Sequence, residues 1–169
     1  MFNKKKILTI IFLYIIISSS VFADNKVAYI NIDFILSNTN IGKTTLEKLE
    51  KIEKEKNKEF KLQEKKFKEE ENKILASRSI ITDEQLKKNI QEFQKKLKTY
   101  SNNKSEQIEQ LKKNRKTEIL NLLNLINPII EKYMKNNSIA IIIDKKNIYI
   151  GNTSYDVTNN LIDIINKKL

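Results

Sequence analysis

The sequence has no cysteine, no histidine, two glycines and one proline. Without cysteine there are no thiol nucleophiles and no disulfides. Without histidine the commonest acid–base group and a usual zinc ligand are missing. Two glycines do not make a phosphate-cradling loop, and no carboxylate pocket is evident. An enzyme is therefore not expected, nor a cofactor. Glycine and proline are also the residues that cost a helix most, so their scarcity allows long uninterrupted helices.

What is present is charge. Charged residues make up 31% of 169, and the formal net charge is +11. That is too much charge for a compact sphere of this length, so much of the chain should lie on a solvated surface. Lys, Asn and Ile are abundant, a bias that an AT-rich genome also gives, so part of the basicity carries no functional meaning.

Residues 1–23 read as a secretory signal peptide, with Lys4, Lys5 and Lys6 before an apolar run at 7–17 and Val21-Phe22-Ala23 at the cleavage site. The apolar run is short for a bilayer span of about 20 residues. No cysteine follows it, so a lipoprotein anchor is not expected. Removal of the leader leaves the mature chain strongly basic.

The mature chain reads as α+β. Residues 26–34 (KVAYINIDF) are β-branched and aromatic and read as a buried strand, with a turn or the start of a helix at Asn38, Asn40 and Gly42. Residues 43–135 are strongly helical. Leu46, Phe60, Phe67 and Ile74 fall on one heptad frame with Glu53 at a polar slot, and Leu49 belongs to a complementary, otherwise polar frame. Ile90, Phe93, Leu97, Tyr100 and Leu111 follow the same kind of spacing, with Lys104 and Gln107 polar. Thr82 to Gln85 has the form of a capping box, with Thr82 as N-cap. The pattern predicts an antiparallel helical hairpin turning near 77–81, with a first arm about 50 Å long. About half of the seam slots are polar, so the arms should bend and splay. The aromatics either zip the hairpin or serve as contacts when it opens.

Apolar density rises at residues 119–134, where Pro128 should bend the returning helix. Residues 139–143 and 148–150 read as two strands of a β-hairpin around Asp144–Asn147. Asp156 or Thr158 then caps a short terminal helix. The domain division is a signal peptide at 1–23, the N-terminal strand and helix entry of the body at 24–42, a hairpin arm at 43–118, and the return helix, β-hairpin and C-terminal helix of the body at 119–169. Three apolar strands exceed what one short helix can cover. Closing copies of the sheet into a barrel-like body removes the edges. The positions expected to build that oligomer body are Val27, Tyr29, Ile30 and Ile32, then Ile139, Ile141, Ile143, Ile148 and Ile150.

The two ends of the mature chain resemble the Skp/OmpH family of periplasmic chaperones. KVAYINIDFILSNTNIGKTTLEKLE is similar to the family's opening: a strand, Asp33, Leu36, Gly42 and then the arm. Its close is matched by Pro128, a strand ending in Asp144, Asn147–Ile150, and Asp156-Val157-Thr158 before the last helix. The sequence departs at Asn137-Ser138, where the family often has Gly; this alters the turn and not the fold. The resemblance implies a jellyfish-like homotrimer, with arms on a β-barrel body enclosing unfolded outer-membrane proteins without ATP.

On that reading, Phe60, Phe67, Ile74, Ile90, Phe93, Leu97 and Tyr100 are the candidate apolar client contacts. Lys95, Lys96, Lys98, Lys104, Lys112, Lys113, Arg115 and Lys116, set against only Glu106 and Glu109, form a basic stretch that would steer acidic clients. The stretch also fits an ordinary solvated helix face. Lys73, Arg78, Lys87 and Lys88 at the tip are candidates for anionic lipid or lipopolysaccharide. Nucleic acid is not an expected partner, because export removes the chain from it, although the sequence pI of about 9.6 suits one. A periplasmic coiled-coil spacer or envelope tether is the other reading, against which the irregular seam and the hairpin's return to one body weigh.

Overall fold

A computed structural model describes residues 26–169; the leader read at 1–23 lies outside them. Strand β1 (Lys26–Ile30) leads into a short helix α1 (Ile32–Asn38). The long helices α2 (Asn40–Ala76) and α3 (Asp83–Asn136) form the arm. Strand β2 (Ile139–Asp144) and helix α4 (Thr158–Lys168) complete the body. At 1.5 Å per residue, the 37 residues of α2 extend about 55 Å.

The arm turns where the sequence places it. Ser77–Ser79 make a single 3₁₀ turn, and the Thr82 hydroxyl accepts from Gln85 N–H at 3.3 Å to start α3. Only half of the capping box forms, because the Gln85 side chain bonds Asn89 instead. Pro128 sits inside α3, which runs on to Asn136 in one piece. The expected division at 118/119 thus falls within a continuous helix.

β1 and β2 pair in parallel, with Val27 opposite Ile141 and Tyr29 opposite Ile143. Parallel neighbours need a crossover connection, and here the entire arm is that connection. The core lies beside the sheet. Ile35 and Leu36 of α1, Leu122 and Ile126 of α3, and Leu161 and Ile165 of α4 are all buried. α3 therefore serves two structures, half of it in the arm and half in the body core.

Three local expectations are corrected. The first strand stops at Ile30 and not at Phe34, because the Asn31 side chain accepts from Phe34 N–H at 3.0 Å and caps α1. Ile32 is consequently a helical residue packed on the core, not a strand residue. The β-hairpin is absent within one chain. Asp144 Oδ1 accepts from Lys146 N–H at 3.2 Å and Ile148 N–H donates to Lys145 at 3.1 Å, winding residues 145–147 into a 3₁₀ turn. Among the described residues Ile148–Ile150 then pairs with no strand, and the chain returns to β1 further on, where Val157 N–H donates to Tyr29 at 3.1 Å. Among the described residues the sheet therefore has two strands rather than three. Thr158 is not a cap but the first residue of α4. Its hydroxyl donates to Asp156 and accepts from Asn31 N–H at 3.0 Å, tying α4 to the start of α1. Asp156 does act at this terminus, accepting from Thr158 N–H at 3.0 Å.

Two backbone positions fix the body. Gly42 lies against α1, where an added Cβ would sit 1.9 Å from the Leu36 carbonyl oxygen. Ser138 occupies the left-handed region at φ 56°, just past the α3 terminus, where glycine is the favoured residue.

Candidate functional site

The arm is two helices thick and has little interior. Leu49, Phe60 and Phe93 are its buried apolar side chains. Leu49 lies on the frame whose other slots are polar, so sequence spacing undervalued it. Phe67 bridges the helices, its ring 6.1 Å from Phe93 edge-on and 5.1 Å from Tyr100 at a tilt of 53°. The predicted client contacts therefore divide by burial. Phe60 and Phe93 are enclosed, Phe67, Ile74 and Tyr100 are half-buried, and Ile90 and Leu97 are exposed.

Ion pairs occupy the seam's polar slots. Arg115 reaches Glu53 at 3.0 Å, Lys104 reaches Glu64 at 2.5 Å and Lys96 reaches Glu70 at 2.6 Å, each across the arm. Lys104 Nζ also lies 5.4 Å from the centre of the Phe60 ring. The hydrogen bond from Lys104 holds the Glu64 carboxyl below its ordinary value, and the same bond raises Lys104. Burial, with the Glu64 charge beside it, raises the Tyr100 phenol; its hydroxyl lies 3.2 Å from the Phe60 carbonyl. Three of the eight predicted steering cations are thus engaged across the seam. Lys112 pairs locally with Glu109. Lys95, Lys98, Lys113 and Lys116 face solvent.

At the tip, Lys73, Arg78, Lys87 and Lys88 are exposed as expected. Among them stand two apolar side chains that the sequence reading passed over, Leu75 at 61% and Ile80 at 83% exposure. Leu75 sits one residue off the heptad frame and Ile80 in the turn, so each could have been noticed as apolar residues without a seam slot. Ile74, Leu75, Ile90 and Leu97 frame a hollow of about 310 Å³ over Phe93.

The predicted body positions divide in the same way. Tyr29, Ile30 and Ile139 are buried, whereas Val27, Ile141, Ile143 and Ile150 are exposed and Ile148 is half-buried. Tyr149 is fully exposed and Tyr155 half-exposed, two aromatics not singled out from the sequence. A hollow of about 270 Å³ is lined by Val27, Tyr29, Ile143, Ile148, Ile150 and Tyr155. Among the described residues nothing fills this apolar hollow beside the sheet. Among the described residues no acidic cluster could hold a metal ion, and no helix is long and apolar enough to cross a membrane.

An extended two-helix arm rooted in a small α+β body can be compared with known proteins directly. The sequence model of the family described as Outer membrane protein (OmpH-like) matches residues 26–165, from β1 into the last turns of α4. The chain belongs to the OmpH-like family. Among solved structures, it resembles a crystal structure from Caulobacter crescentus CB15, described as an OmpH-like outer membrane chaperone. The TM-score is 0.74, with 86% of each chain covered and 13% identity. At that identity the likeness speaks to the fold of this OmpH-like chain. No curated protein matches the sequence.

Proposed function

We propose that this OmpH-like chain is an ATP-independent periplasmic holdase that keeps unfolded outer-membrane β-barrel proteins from aggregating. One observation carries the reading. The arm projects about 55 Å with a basic surface, and it leaves Leu75, Ile80, Ile90 and Leu97 exposed along it. A holdase needs many weak apolar contacts and little shape specificity, and charge of one sign raises capture rates for clients of the other. Membership of the family, and the description of the Caulobacter protein as a chaperone, support the same reading.

The remaining parts follow from it. Residues 1–23 direct export and are removed. The uncovered face at Val27, Ile143 and Ile150 joins copies of the body into a trimer whose arms enclose the client, as closed symmetry favours. The cations at the tip meet anionic lipid or lipopolysaccharide.

The test dilutes an unfolded outer-membrane β-barrel protein from urea into buffer without ATP and follows light scattering. Suppression by the mature protein, complete near about three protomers per client, is expected for a trimer enclosing one client. A well-folded oligomer that suppresses nothing at any ratio would replace this reading with that of an envelope spacer.

A further inference from the structure

One face of the arm is hollowed beside its aromatic seam. The concavity, about 550 Å³ and open to solvent, has the Phe67 and Tyr100 rings as its floor. The Tyr100 hydroxyl is already engaged by the Phe60 carbonyl and Glu64, so it is the ring face that is offered. Gln63, Thr99 and Asn103 stand around this floor. Among the described residues their side chains are not engaged with another side chain, and so they remain available to the backbone amides of a bound chain. Two lysines complete the rim. Lys96 is held on Glu70, whereas Lys95 makes no ion pair among the described residues. Glu92 also lines the hollow and likewise makes no ion pair among the described residues, so Lys95 is the rim cation left free to meet a ligand.

We infer that this concavity is a discrete subsite for an extended polypeptide segment carrying an aromatic side chain next to an acidic one. The aromatic side chain stacks on the tilted Phe67–Tyr100 pair, a geometry that aromatic rings prefer over face-to-face contact. The neighbouring carboxylate meets Lys95. The amides and the hydroxyl at the rim satisfy backbone groups that would otherwise lose water without a partner. This rests on the holdase reading and deepens it: the arm selects aromatic–acidic segments within a client rather than adhering to any apolar stretch.

The protein contains no tryptophan, so a blocked Ser-Trp-Asp-Ser peptide reports its own binding through indole fluorescence. With the full mature protein, a saturable blue shift is expected. Thr99→Phe lays a ring across the floor from an exposed position and is expected to weaken binding about tenfold, the range of one aromatic pair. Ser101→Phe, exposed and on a different face of the helix, is expected to leave it unchanged. A Ser-Trp-Lys-Ser peptide is expected to bind more weakly than the Asp peptide. The subsite is overturned by the lack of a saturable shift, or by equal binding to wild type and Thr99→Phe. Equal binding of the two peptides overturns the acidic assignment. The scattering assay run alongside separates the two levels. A wild type that suppresses scattering and ignores the peptide loses the subsite and keeps the holdase reading. A wild type that binds the peptide at the groove but suppresses nothing keeps the subsite and loses the holdase reading.

Discussion

Replacing Phe93 with alanine should open the arm without unfolding the body. Phe93 is 8% exposed and meets the Phe67 ring edge-on at 6.1 Å. Truncation of a buried Phe costs about 3–5 kcal/mol in a closed core. Here the arm is only two helices thick, and water can enter the space left behind, so the lower end, about 3 kcal/mol, applies. That corresponds to roughly a hundredfold rise in the open population of the arm. The body core around Ile126, Leu161 and Ile165 shares no contact with this site, so the two regions should respond as separate cooperative units. Native-state amide hydrogen exchange reads both at once. Amides at residues 60–76 and 83–104 should lose about a hundredfold of protection, while those at 122–134 and in α4 keep theirs. An equal loss in arm and body would show that the molecule opens as one unit and would refute the reasoning. So would an unchanged arm.

Three further outcomes test the body. Gly42→Ala places a Cβ 1.9 Å from the Leu36 carbonyl oxygen, and since backbone must move, a loss of about 1–3 kcal/mol is expected from the urea midpoint; an unchanged midpoint would contradict the packing described. Ser138→Gly relieves a left-handed residue at φ 56° and should stabilise the fold by about 0.5–1 kcal/mol, so a lower midpoint would count against it. Burial pushes the Asp156 carboxyl up, but hydrogen bonds from Thr158 and Lys145 outweigh it and hold the group below its ordinary value of 3.8. A lowered folded-state value gives stability that is present above 3.8 and lost as pH falls through the lower folded value. The melting temperature should therefore fall on acidification below that point. Asp156→Asn should flatten part of the fall, while Asp144 and Glu64, shifted in the same direction, keep their share. An identical acid profile for wild type and Asp156→Asn would refute the assignment.

The arm was legible because its signals are local. A heptad spacing of apolar residues, few helix breakers and a threonine ahead of Asp83 specify two helices and their turn without reference to anything distant. The body was less legible. Ile148–Ile150 has the composition of a strand, but composition does not say whether the partner edge lies in the same chain, and within one chain Asp144 turns the backbone away first. Asn31 is an N-cap residue type, yet it stands inside an apolar run that reads equally well as one strand, which hid the start of α1. Leu49 and the cross-arm ion pairs depend on the register between the helices, fixed by the turn geometry and by packing over many residues. The groove at Gln63, Thr99 and Asn103 lies one step further out of reach. These are ordinary polar residues on three separate turns, and only the alignment of α2 with α3 brings them around one aromatic pair.

The central claim is that the arm, rather than the body, holds an unfolded client. A photo-crosslinking residue placed at Ile90 or Leu97 on the arm, or at Glu131 on the exposed side of the body helix, tests it on the assembled protein. With an unfolded outer-membrane β-barrel protein bound, crosslinks are expected at both arm positions and not at Glu131. Crosslinking confined to Glu131, or none at the arm while aggregation is still suppressed, would contradict the account.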